Sequence, residues 1–395
     1  MELYNVFQNV AALYGLLQDQ ISKRLFMARV KFDIDPNFDN MLGLLAASSS
    51  IPSVSQERNA WHNKVVSILD SGCKLILYGA GDGGHAFGHM LELEGIPYVA
   101  FCDAQKAGKK LRNKPVISPT ELLENAEKSY VIITTDRYGK EIYRFLLEKS
   151  FPESHILYYY GADLWSERKT QEPYFDFMPF FPNNAAFVDA GSYDGSDIIR
   201  FYSLFSKMNP QILAFEPEPN NFLLCKKNIG ALGIRNVSYY LAGLDRITGK
   251  ADFVINADES SYSLGTNAVP MAWNKNREAT NVEKVWMYAL DDILVKPVGM
   301  IKMDIEGAEY DALHGAQNII TRDKPFLAVC VYHRQGDMIS IMDYLHRLVP
   351  EYRFLLRHYS GTYAETVLYA FEPDMYARSN KTEYPFTVYA GTESP

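Results

Sequence analysis

The sequence predicts an α/β protein: two strand-helix series in tandem, each building a mostly parallel sheet, behind a helical N-terminal segment. Two apolar runs end in glycine turns that open helical patterns, LILYGAGDGG at 75–84 and AAFVDAGSYDG at 185–195. After each, short β-branched and aromatic runs alternate with helical stretches, as a parallel sheet covered on both faces requires. Finally, YRFLLRHY (352–359) and ETVLYAF (365–371) lie too close in sequence to pair in parallel, so the second sheet closes on a reversed hairpin.

Taken in order, Leu3, Val6, Val10, Leu13, Leu17, Ile21 and Leu25 recur at three- and four-residue steps. That is the stripe of an amphipathic helix over 3–30, packing on its own chain or on a second copy as a homo-oligomer contact. SSSIPSVSQ at 48–56 reads as a Ser/Pro linker, followed by a helix from about Glu57 to Leu69. The first sheet takes LILY, YVAFCD (98–103), SYVIITT (129–135) and HILYYY (155–160), with helices near Pro119 and over 139–149. This is a small Rossmann-like unit. The aromatic segment PYFDFMPFFPNN (173–184) separates it from the second series. There AAFVDAG, QILAFEPEP, NVSYYLAG, GMIKMDIEG and PFLAVCVYH are successive strand ends, with a hairpin-like excursion over 251–290 between the third and fourth. The expected boundaries are 1–60 for the helical segment and linker, 61–165 and 175–375 for the two α/β domains, and 376–395 for a C-terminal tail.

Composition narrows the function. The 395 residues are 47% hydrophobic and 22% charged, ordinary for a globular protein, and the net charge of -9 disfavours nucleic acid as a partner. Cys73, Cys102, Cys225 and Cys330 are far apart and mostly lie in apolar runs, as buried thiols in a reducing compartment do. MELYNVFQNV lacks the basic and apolar regions of a secretory signal, and no window approaches the ~18 apolar residues of a membrane span. The expectation is a cytoplasmic protein.

The two glycine turns read differently. Gly79-Ala80-Gly81-Asp82-Gly83-Gly84 satisfies G-x-G-x-x-G, and Asp103 ends the next strand, the arrangement that holds a pyrophosphate and a ribose. The unit has few elements for a complete dinucleotide site, and the alternative is a scaffold that merely uses the turn. In the second turn Asp189 ends the strand, Gly191 opens the loop, and Asp194 and Gly195 start the helix. Two carboxylates would repel a pyrophosphate but welcome a cationic ligand. S-adenosylmethionine (SAM) carries a sulfonium and an ammonium and no phosphate. Glu216, ending ILAFE, is then placed to accept bonds from both ribose hydroxyls. The structural alternative is an ordinary strand-turn-helix with Asp194 as a cap.

FVDAGSYDGSD, AFEPEPNNFLLCKKNI, Leu290-Asp291-Asp292 and IKMDIEGAEYDALHGAQNII followed by PFLAVCVYH together resemble the FkbM family of SAM-dependent methyltransferases, over roughly residues 185–371. The resemblance implies the class I methyltransferase fold, a Rossmann-like sheet closing on an antiparallel hairpin. It implies that Asp189, Gly191, Ser192, Asp194 and Gly195 form the cofactor loop, that Glu216 holds the ribose, and that the backbone near Ala242 flanks the adenine. Ser192-Tyr193 departs from the family, where many members carry Ala-Asn. The preceding unit resembles small N-terminal domains found on sugar-modifying enzymes.

Methyl transfer is an in-line displacement, and a hydroxyl acceptor gains from a nearby base. Asp304 and Glu306 end the fourth strand, His333 ends the fifth, and Lys302 shares a strand face with both acids if the extended conformation persists. Asp304, Glu306 and His333 are therefore the candidate acid-base residues, with Lys302 orienting or neutralising the acids. The bland reading pairs Lys302 with Asp304 and gives Glu306 to the next helix N-terminus. The clustered acids admit a divalent metal, but no spacing identifies one, and no metal ligands are assigned. His85 and His89, one helical turn apart, lack a third ligand. The polar segment 256–276, with Ser260, Ser261 and Tyr262, has the character of a lid, and Arg357-His358-Tyr359 is a second candidate for the acceptor side.

The expected function is SAM-dependent O-methylation of a small-molecule or glycan acceptor. The rivals are a nucleotide-dependent sugar oxidoreductase using the first glycine turn, against which no Tyr-x-x-x-Lys pair occurs, and a non-catalytic binding protein that keeps the fold.

Overall fold

The computed structural model describes residues 2–48, 53–135, 138–158, 173–178, 180–256, 262–264, 279–294, 296–360 and 363–377. Four helices come first: α1 (Glu2–Gly15), α2 (Gln20–Ile34), α3 (Phe38–Ser48) and α4 (Ser53–Asp70). The stripe expected as one helix over 3–30 is thus two helices. Asp19 caps α2, its Oδ1 accepting from Ser22 N at 2.7 Å. Just before it, the chain pairs with the last-but-one strand of the protein: Gln18 N donates to Phe354 O at 3.0 Å, and Phe354 N donates to Leu16 O at 3.3 Å. An exposed strand edge is a liability, and here the N-terminal segment covers it. Leu13, Leu17 and Leu25 are buried in the large core, so this part of the stripe packs on its own chain. The expected linker is short, since α4 begins within it.

The first sheet contains β1 (Lys74–Tyr78), β2 (Ala100–Cys102), β3 (Lys110–Leu111), β4 (Lys114–Ile117), β5 (Ser129–Ile133) and β6 (Ile156–Tyr158), in the order β3-β4-β2-β1-β5-β6. Its helices are α5 (Asp82–Leu93), α6 (Pro119–Leu123) and α7 (Gly139–Glu148). All pairs are parallel except the β3–β4 hairpin, which turns at Arg112 and Asn113 with φ of 49° and 60°. Two adjacent left-handed residues suit a tight hairpin, but a strand of two residues has no periodicity legible in the sequence.

The second sheet follows the expected plan. Its strands are β7 (Ala186–Ala190), β8 (Gln211–Phe215), β9 (Val237–Tyr240), β14 (Val298–Met303), β15 (Phe326–Cys330), β16 (Arg353–His358) and β17 (Thr366–Phe371), in the order β16-β17-β15-β14-β7-β8-β9. β17 runs antiparallel to both neighbours and the other pairs are parallel, the class I methyltransferase-like topology. The excursion between β9 and β14 forms a separate four-stranded sheet from β10 (Ala242–Leu244), β11 (Gly249–Asn256), β12 (Tyr262–Leu264) and β13 (Ala279–Tyr288). Residues 257–261, with Ser260 and Ser261, and 265–276 of the expected lid lie outside the described residues. The aromatic segment is more than a separator. Tyr174, Phe175, Phe177 and Phe181 are buried on one face of the large sheet with Phe187 and Phe201, whose rings stack at 4.0 Å.

Candidate active site

The site grows from the carboxyl ends of β7, β8, β14 and β15. β14 is buried along its whole length, and its one charged residue, Lys302, is only 2% exposed. Lys302 Nζ donates to Gly191 O at 2.8 Å and lies 3.1 Å from both Asp189 Oδ1 and Asp197 Oδ2. Burial alone would lower its pKa, but the charges of Asp189, Asp197 and Asp304 hold it well above the ordinary lysine value. It is therefore a cation that ties the glycine loop to the sheet, not a nucleophile. Burial pushes Asp189 up to about 6 against the pull of Lys302, so the pair is ionised at neutral pH. The loop is also seated sterically. Gly191 has φ +79°, and a Cβ there would lie 1.9 Å from Asp304 O.

The strand ends at Met303, so the extended face shared by Lys302, Asp304 and Glu306 does not persist. Glu306 takes a left-handed φ of 56° and Gly307 one of 96°. Nor does Lys302 pair with Asp304. Asp304 instead accepts from Tyr174 Oη at 3.0 Å and Tyr332 Oη at 3.3 Å, and its Oδ1 lies 3.4 Å from His333 Nε2. Burial would raise this carboxyl, yet His333, Lys302 and the Tyr174 hydroxyl bring it below the usual range. His333 is surrounded by acids: Glu309 Oε1 is 2.9 Å from Nδ1, and Glu306 Oε2 is 4.0 Å from Nε2. Burial disfavours its charge, but Glu309 first, then Glu306 and Asp304, lift its pKa to about 10. These acids therefore hold His333 toward its charged form, which works against the general-base role considered from sequence.

A pocket opens above Gly191. One end is Glu216, where β8 stops. Its Oε1 accepts from Glu218 N and its Oε2 from Tyr193 N, both at 2.9 Å, and burial pushes its carboxyl up to about 7. The other end holds Asp304 and Glu306, and the apolar wall includes Phe215, Leu244, Phe253 and Met287. Among the described residues, no lysine or arginine lines it.

Of the residues expected in the cofactor loop, Gly191 and Glu216 line this pocket, and the others support it. Asp189 lies fully buried beneath, and Ser192 Oγ donates to its carbonyl at 3.0 Å. Asp194 Oδ1 accepts from Ser196 N at 3.0 Å, the helix-start role held open as the bland reading. Gly195, at φ +83°, packs where a Cβ would meet Ile229 at 3.0 Å. Ala242 is buried, while its neighbours Gly243 and Leu244 face the pocket. The sequence alone does not assign Asp197, Glu309, Tyr174 or Tyr332 to this site. Glu309 was visible in IKMDIEGAE and Tyr332 beside His333, but nothing local marks Tyr174, 130 positions from Asp304. Arg357 pairs with Asp19 at 2.6 Å, and His358 Nδ1 lies 2.9 Å from Thr366 Oγ1.

In the first unit Gly83 and Gly84 allow close packing. A Cβ on Gly83 would meet Thr134 O at 2.1 Å, and one on Gly84 would meet Gly79 O at 2.0 Å. Asp103 Oδ2 accepts from Ala80 N at 3.1 Å, while Oδ1 accepts from Gln105 N and Lys106 N. Arg112 reaches both His85 and His89, at 3.2 and 2.9 Å, placing a cation where a shared metal would need to sit.

Residues 189–359 match the family model described as the methyltransferase FkbM domain, and residues 72–157 match that described as C2185-like, N-terminal. The chain is 26% identical over 197 residues to the 2-O-methyltransferase NoeI of Sinorhizobium fredii (strain NBRC 101917 / NGR234), covering 46% of this chain and 77% of that one. It is 29% identical over 161 residues to Methyltransferase 1 of Beauveria bassiana (strain ARSEF 2860), covering 36% of this chain and 61% of that one. A crystal structure of methyltransferase FkbM from Methylobacillus flagellatus KT aligns with 89% of this chain and 99% of its own, at 18% identity and a TM-score of 0.46.

Proposed function

Because the chain carries an FkbM methyltransferase domain, we propose that it transfers the methyl group of SAM to a hydroxyl of a sugar, glycoconjugate or related small molecule. The observation that carries this reading is the pocket joining Glu216 to Asp304 and Glu306: among the described residues, three carboxylates and no basic side chain line it. Such a lining favours a sulfonium and an ammonium and repels a pyrophosphate. The ribose hydroxyls would donate to Glu216, the adenine would lie against Leu244 and Phe253, and the methionine end would cross the Gly191 turn.

In the reaction the acceptor oxygen bonds to the methyl carbon as the carbon–sulfur bond breaks. The electron pair goes to sulfur, leaving S-adenosylhomocysteine, and the hydroxyl proton leaves through the acceptor end of the pocket. Asp304, held ionised by His333 and Lys302, would orient the acceptor hydroxyl. Glu306, whose side chain is 44% exposed, would pass the proton to solvent. The hydroxyl acceptor finds support in the 2-O-methyltransferase relative.

Calorimetric titration with SAM, S-adenosylhomocysteine and NAD tests the cofactor. The expected result is binding of the first two, lost in Glu216→Ala; binding of NAD alone would sink the reading. Labelled SAM with cell extracts identifies the acceptor. With it, Asp304→Asn should lose turnover while keeping cofactor affinity, and unchanged turnover would reduce Asp304 to a structural residue.

A further inference from the structure

We propose that Asp304, Glu309 and His333 form a site for a divalent first-row cation of the Mn2+ type at the acceptor end of the pocket. Each offers one ligand atom, and these atoms lie within 4.8 Å of one another. An ion with bonds of about 2.1–2.3 Å separates adjacent ligands by roughly 3 Å and opposite ones by roughly 4.5 Å, so a small contraction closes the set. Two carboxylates and one imidazole suit a six-coordinate first-row ion that keeps open positions for water or substrate oxygens.

A second observation points the same way. Glu309 is 0% exposed and its Oε2 has no hydrogen bond, although Oε1 is anchored by Ile305 N at 2.9 Å. The His333 side chain is 8% exposed, and neither ring nitrogen has a hydrogen bond of good geometry. A buried carboxylate oxygen left this way costs about 1–3 kcal/mol, and a bound cation would satisfy it while taking one His333 ring nitrogen as a further ligand. The Tyr174 and Tyr332 hydroxyls on Asp304 supply the outer contacts that orient a ligating carboxylate. Asp304 and Glu306 line the pocket, so the ion would be reachable from the acceptor side.

The role of this site rests on the methyl-transfer reading. An acceptor hydroxyl on the ion gives up its proton to Glu306 and solvent more readily, and the resulting oxygen then takes the methyl group as the carbon–sulfur bond breaks toward sulfur.

The test is an electron paramagnetic resonance titration of Mn2+ into the full chain after chelator dialysis, without SAM or acceptor. One Mn2+ per chain is expected, weakened at least about tenfold by Asp304→Asn and by Glu309→Gln. Asp343→Asn, whose carboxylate pairs with Arg347 away from the cluster, should leave it unchanged. Should either cluster variant fail to fold, His333→Gln supplies the same comparison. Absence of binding at about 1 mM Mn2+, or equal binding by the folded cluster variants, overturns the site. Since neither SAM nor acceptor is present, that failure leaves the methyl-transfer reading standing, and a failure to bind SAM leaves the cation site standing.

Discussion

Replacing Lys302 with Met should be among the most damaging single changes to this domain. The ammonium it removes sits 3.1 Å from Asp189 Oδ1 and Asp197 Oδ2, with Lys302 2% exposed and Asp189 fully buried. Asp197 keeps a side chain 30% exposed and can return to water, so its share is no more than about 1 kcal/mol. Asp189 cannot. An uncompensated buried charge costs about 3–5 kcal/mol, and methionine fills the lysine stem without replacing the charge. Adding Asp189→Asn removes the orphaned charge, so the double variant should recover about 2–3 kcal/mol relative to additivity. Urea denaturation followed by circular dichroism at neutral pH, across the four proteins of the cycle, measures this. Cofactor affinity should fall in parallel, since Gly191 O loses its donor. A loss below about 1 kcal/mol in Lys302→Met, or a double variant as unstable as the single ones summed, would refute the reasoning. The pH dependence has a definite sign. Lys302 titrates higher when folded, so its contribution is full below the unfolded lysine value near 10.5 and disappears as pH rises through the folded one.

Three further outcomes are expected. Burial holds the Glu216 carboxyl up at about 7, and ribose hydroxyls donating to it would favour its ionised form, so SAM affinity should fall about tenfold from pH 8 to pH 6. Calorimetry at the two pH values checks this, and a profile flat or reversed would remove Glu216 from the ribose. Gly191→Ala puts a Cβ 1.9 Å from Asp304 O at φ +79°, and should destabilise the domain by more than about 2 kcal/mol, read from the denaturation midpoint. Arg29, fully buried on α2, pairs with Asp33 at 2.8 Å and donates to Tyr363 O and Tyr332 O. Arg29→Met should cost about 3–5 kcal/mol and speed amide exchange at Gly336, whose N–H donates to Asp33.

Strand and helix order, the closing hairpin and the strand-end acids were legible because hydrophobic period and turn chemistry act over a few residues. The β3–β4 hairpin was not, with too few residues to show a period. The break before Asp19 also escaped, because Leu16–Gln18 keep the helical spacing while answering to Phe354, far along the chain. Within IKMDIEGAE, Glu306 was placed on the wrong face because a left-handed φ leaves no trace in an alternation pattern.

The residue types themselves determined that this protein carries an acid-lined strand-end site behind a smaller α/β unit. Which acid meets which cation was decided only by the folded chain. Lys302 reaches across 111 positions to Gly191, and Tyr174 across 130 to Asp304. Local propensity reads neighbours in sequence, whereas a buried charge responds to whatever lies within a few ångströms in space, and the sheet alone sets those distances.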